Sequence, residues 1–99
     1  METKHTTKPY TFFHDIGHAW LRVSKRKLLE VGLTAKDISD YSYQSETNYY
    51  LEEDLDAGVF IDKLIEIGEV KDYKEFSARL RSTHTNGESR IRKLSRVIS

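Results

Sequence analysis

An α+β domain built on a mainly antiparallel sheet follows from three features of the sequence. Short aromatic and β-branched runs come in pairs around polar turns, as hairpin strands do. Two such pairs, within 10–23 and 41–51, are each followed by a helical apolar stripe that stops at a glycine, Gly32 and Gly68. A third pair is signalled by Asn86-Gly87, the dipeptide that best suits a two-residue hairpin turn. The predicted order is ββα-ββα-ββ, with two helices packed on one face.

The elements follow in chain order. Tyr10-Thr11-Phe12-Phe13 makes the first strand and Ala19-Trp20-Leu21-Arg22-Val23 the second. Ser24 caps a short helix, Lys25 to Val31, by accepting one of its orphan N–H groups. Thr34-Ala35-Lys36-Asp37 matches a capping box and opens a single helical turn. Tyr41-Ser42-Tyr43 and Asn48-Tyr49-Tyr50-Leu51 are aromatic strands around the polar turn Gln44 to Thr47. Asp54 or Asp56 caps the second helix, and Phe60, Leu64 and Ile67 on its stripe are expected to be buried. Residues 69–75 read as a linker or an extra helical turn. Phe76 to Arg81 alternates with period two, and Ile91, Leu94, Val97 and Ile98 follow the Asn86-Gly87 turn in an irregular strand. Two helices cannot cover both faces of six strands. The second face is therefore expected to carry exposed aromatics and to meet a partner or a second copy in a homodimer.

The length suits one domain over residues 10–99, preceded by a polar, flexible segment at 1–9. The chain has no cysteine, which excludes disulfides, thiolate zinc sites and thiol nucleophiles. Met1 to Pro9 lacks the apolar run of a secretion signal, and no stretch reaches membrane-span length, so the expected setting is cytoplasmic with no membrane partner. Net charge is zero but sorted: residues 1–29 carry +4, residues 30–72 carry −9 and residues 73–99 carry +5. Such sorting either pairs the segments across the folded surface or leaves a face that docks a charged partner. GxSxG, HExxH and phosphate-binding glycine loops are absent, which argues against the common hydrolase, zinc-protease and nucleotide-binding classes and leaves no expected cofactor.

Four constellations hold the candidate functional residues. His14, Asp15 and His18 gather two of the four histidines at one turn. Histidine titrates near neutrality, so an acid–base or metal role is open, with His84 as a further group. The structural alternative is that Asp15 and Gly17 simply build the turn. Trp20, Tyr41, Tyr43, Tyr49 and Tyr50 belong to a set unusually rich in tyrosine, and aromatics on a sheet either fill the core or anchor a partner. Glu52, Glu53, Asp54 and Asp56 place four carboxylates within five residues, suited to a basic surface or to a helix start. Arg79, Arg81, Arg90, Arg92, Lys93 and Arg96 make the C-terminal third basic, suited to nucleic-acid phosphates or to a solvated face.

Phe12-Phe13-His14-Asp15-Ile16-Gly17-His18-Ala19-Trp20-Leu21, then Ile38 to Tyr43, then Tyr50-Leu51-Glu52-Glu53-Asp54-Leu55-Asp56 resemble a family of short uncharacterised proteins of phages, plasmids and bacterial genomes. Its pattern runs HDPGHGWL, SxYSY, YLEEDxD. The resemblance covers about residues 12–68. Ile16 stands where the family has proline and Ala19 where it has glycine. The resemblance implies a mobile-element setting rather than a reaction. Together these readings point to a small, non-catalytic accessory protein that binds a host macromolecule, a host protein first, and inhibits a bacterial defence system. The alternatives are an enzyme using the His14/Asp15/His18 turn and a nucleic-acid-binding protein using the C-terminal arginines.

Overall fold

The structure is a computed structural model that describes residues 10–97. The expected flexible arm at 1–9 and the apolar Ile98 lie outside the described residues. Strand alternation decides which side becomes the core. In β1 (Tyr10–His14) and β2 (Ala19–Ser24), Tyr10, Leu21 and Val23 join the main core, whereas Phe13 and Trp20 join a smaller cluster on the opposite face. Ser24 Oγ accepts the N–H of Lys27 at 2.9 Å and starts α1 (Lys25–Glu30). Thr34 and Asp37 form the expected capping box around one 3-10 turn, Ala35–Asp37. A hairpin of β3 (Tyr43–Gln44) and β4 (Asn48–Glu52) follows, then α2 (Asp56–Glu66). Buried side chains of both helices, Leu28, Phe60, Ile61 and Leu64, all pack into the main core, so the helices cover one face as expected.

The fold class is therefore α+β with a mostly antiparallel sheet, but the last third departs from the predicted order. Residues 73–77 form a third helix, α3 (Tyr73–Ser77), which brings Phe76 into the core 5.1 Å from the Tyr10 ring. Asp72 caps it by accepting the N–H of Glu75 at 2.9 Å. The strand expected from Phe76 begins only at β5 (Leu80–His84). Asn86-Gly87 does bend the chain, with Gly87 at φ +83°, a backbone state that glycine adopts without strain. No hairpin results. β5 pairs in parallel with β1, and the chain then crosses to the opposite edge, where β6 (Ser95–Arg96) pairs with β3. The strand order is β5-β1-β2-β4-β3-β6, so both edges come from the C-terminal third.

That crossing changes the second face. The connection carries a 3-10 turn, Arg90–Lys93, whose Ile91 packs with Trp20 and Tyr43, with Phe13, Tyr50 and Leu94 around them. The face that a homodimer was expected to hide is partly covered from within the chain. Two smaller expectations also fail. The residue before α2 is Leu55, with no side-chain cap, because Asp56 points into the structure instead. Ile67 follows the last turn of α2 and is exposed, while Ile65 contributes to the core. Among the described residues no helix is long and apolar enough to cross a membrane.

Leu64 is fully buried on α2 against the sheet. Leu64→Ala is expected to lower unfolding free energy by about 2–5 kcal/mol, measured in a urea titration, whereas Ile67→Ala changes it by well under ~1 kcal/mol.

Candidate functional site

The β1–β2 turn is organised by one carboxylate. Asp15 Oδ1 accepts the backbone N–H groups of Gly17 (3.0 Å) and His18 (2.9 Å), a local turn that aspartate favours. Its Oδ2 accepts the N–H of Ser89 at 2.9 Å and Nε of Arg92 at 2.6 Å, and Arg92 Nη2 reaches Oδ1 at 3.0 Å. The Asp15 side chain has no solvent-exposed surface. The Arg92 guanidinium holds its carboxyl well below the usual carboxylate range, with help from the N–H groups of Ser89, Gly17 and His18 and against the opposing effect of burial. The approach is close enough that a Cβ at Gly17 would lie 3.3 Å from Arg92 Nη2.

Held there, Arg92 lies over the Trp20 ring at 5.6 Å. Arg96 lies over Tyr43 at 4.7 Å and donates to the Asp40 carbonyl at 2.9 Å. Beside these two stacked pairs opens a cleft of about 530 Å³, lined by His18, Trp20, Tyr41, Tyr43, Glu52, Asp54, Leu55, Arg92 and Arg96. Its floor is sheet: Trp20 and Glu52 are direct neighbours across β2 and β4, and Tyr43 stands on β3. Trp20 meets Tyr43 edge to face at 6.0 Å. Glu52 Oε1 accepts the N–H of Asp54 at 3.0 Å. Burial, with Asp54 and Glu53 nearby, raises the Glu52 pKa despite that bond.

A second buried carboxylate shapes the cleft from behind. Asp56 accepts the Ser39 N–H at 3.1 Å and the hydroxyls of Ser39 and Ser42. Ser42 Oγ in turn accepts the N–H of Glu52 at 2.9 Å. Asp56 thus joins the loop carrying Tyr41 to the end of the strand carrying Glu52, and it is itself out of reach of a partner.

The structure sorts the other candidate residues as follows. Tyr49 is buried in the main core with Lys25 over its ring at 5.2 Å, and Tyr50 is half-buried against Phe13. Glu53 is exposed outside the cleft lining. His14 stacks on His84 with ring centroids 4.6 Å apart, beside Phe12, whereas His18 lies near Trp20 on the opposite side of the sheet. The two turn histidines are therefore not brought together. Among the described residues no group of three or more His, Cys, Asp or Glu side chains could hold a metal ion. Arg79 lies 3.6 Å from Glu75, and Arg81, Arg90 and Lys93 are exposed, so the C-terminal basic residues form no single patch.

Sequence reasoning placed His18, Trp20, Tyr41, Tyr43, Glu52, Asp54, Arg92 and Arg96 in four separate sets. It missed Leu55, and it missed that members of all four sets meet in one cleft. No family model matches the chain, and no curated protein or solved structure matches it either.

Because the folded-state pKa of Asp15 is depressed, its contribution to stability is complete above the titration range of an unfolded aspartate, about pH 4. It is lost as pH falls from there towards the folded-state pKa. Melting curves between about pH 2 and 7 are expected to show a loss of thermal stability below about pH 4. Asp15→Asn should melt lower at neutral pH and lack part of that acid-induced loss.

Proposed function

We propose that the protein is a small accessory protein of a phage or other mobile element. It acts in the cytoplasm by binding a host macromolecule, and the favoured outcome is inhibition of a bacterial defence system. The observation that supports binding rather than catalysis is how the polar groups are used. Asp15 is committed to five donors, and His14 and His18 lie on opposite sides of the sheet. What is left accessible is an aromatic and charged cleft with exposed Tyr41 and Leu55 at its rim. Those two residues replace Tyr49 and Tyr50 as anchors, and exposed Glu53 and Asp54 beside them suit a basic partner surface. The mobile-element setting is what the resemblance of residues 12–68 implies.

Expression of the protein in a defended bacterial host is expected to raise phage plating efficiency. Tyr41→Ala combined with Leu55→Asp, both at exposed positions, should abolish that gain while circular dichroism shows an unchanged fold. Plating that stays at the level of the empty vector, with no host component retained on the immobilised protein, overturns the proposal.

A further inference from the structure

We propose that the cleft is a site for a guanine nucleotide unit, with the base held by Glu52 and the phosphate by Arg96. The inference rests on the same cleft as the binding function and specifies the chemistry that it accepts.

The space is sufficient, since about 530 Å³ falls within the range of small-ligand sites. The polar groups select the base. An ionised carboxylate only accepts hydrogen bonds. Glu52 Oε1 takes the Asp54 N–H, and among the described residues no protein donor reaches Glu52 Oε2 or the Asp54 carboxylate. A half-buried carboxylate of this kind is best matched by two adjacent donors in a plane. Guanine presents such an edge, N1–H beside the N2 amino group. Adenine and cytosine each place a ring acceptor beside their amino group, and uracil places a carbonyl on either side of its one N–H.

The aromatic groups supply the rest. Tyr41 is 63% exposed, and its ring has no aromatic or cationic partner among the described residues, so a face is free for stacking. Trp20 is 2% exposed and lines the cleft beneath the Arg92 guanidinium. Arg96 lines the same cleft and is exposed, and beyond its bond to the Asp40 carbonyl its guanidinium has further donors to offer a phosphate. The absence of a phosphate-binding glycine loop is consistent with recognition that centres on the base.

Trp20 is the one tryptophan, so its fluorescence reports on the cleft directly. Titrations with GMP, AMP and guanosine, repeated by calorimetry, are expected to rank GMP at least about 10-fold tighter than AMP. Guanosine should bind about 10-fold more weakly than GMP. Arg96→Ala should bring GMP down to the affinity of guanosine and leave guanosine unchanged, an outcome that a merely structural role would not produce. Glu52→Gln should erase most of the preference for GMP over AMP. A short single-stranded RNA with one guanine separates the two sources: tighter binding than GMP assigns the site to nucleic acid, and comparable binding assigns it to the free nucleotide. Equal affinity for GMP and AMP, or no saturable signal from GMP and the RNA, overturns the inference. Loss of nucleotide binding with the plating effect intact would remove this inference alone, leaving the accessory function standing.

Discussion

The contact between Asp15 and Arg92 ties together two parts of the chain that are far apart in sequence. One is a tight turn between the first two strands, and the other is a 3-10 turn 77 residues later. The carboxylate satisfies donors from both: two N–H groups of its own turn, the N–H of Ser89 and two nitrogens of the guanidinium. A buried carboxylate is costly unless it is paired and hydrogen-bonded, and here both conditions are met. The arrangement therefore selects against any path in which residues 85–94 leave the sheet. The chain is drawn across the second face, and β6 then closes the far edge beside β3.

Much of the remaining architecture follows from that crossing. With Arg92 fixed, its guanidinium covers Trp20, and Ile91 packs with both Trp20 and Tyr43. Past the crossing, Val97 donates to the Ser42 carbonyl at 3.0 Å and is buried in the main core. Ser42 also binds Asp56 through its hydroxyl. The two buried carboxylates thus act on opposite sides of one cleft. Asp15 sets the wall formed by the C-terminal segment, and Asp56 sets the wall formed by the loop of residues 38–42 and the start of α2. Neither carboxylate faces the cleft, and each positions a side chain that does.

Local patterns were legible and long-range partners were not. The β1–β2 alternation, the Ser24 cap, the Thr34–Asp37 capping box and the positive φ at Gly87 all depend on residues a few positions apart. The path after Gly87 depends on which edge is open and which charge is waiting, and turn preference carries no information about either. Of the two readings open for residues 69–75, a linker or an extra helical turn, the helical one is found, and it had a local signal. Asp72 and Glu75 have N-cap spacing, and Val70, Tyr73 and Phe76 recur every third residue, a helical period that outweighed the alternation from Phe76 to Arg81. The missing cap of α2 had no such signal, because Asp56 as cap and Asp56 as buried acceptor read alike until Ser39 and Ser42 are brought beside it. For the site, the residue types were recognisable from sequence, but their convergence required the sheet order.

The sorted charge acquires a physical meaning in this arrangement. The basic N-terminal third and the acidic middle pair where they meet, as Lys27 and Glu69 do at 2.8 Å. At the cleft they do not. Arg92 is occupied by Asp15, and Arg96 is held by the Asp40 carbonyl and the Tyr43 ring, so among the described residues neither forms an ion pair with Glu52 or Asp54. The acidic and basic groups that line the cleft thus do not neutralise one another by direct ion pairing. Glu52 is partly buried there, and burial together with the neighbouring Asp54 and Glu53 raises its pKa. A ligand with donors at one end and negative charge at the other would satisfy both sets of groups at once, and a ligand of one polarity would leave one set opposed.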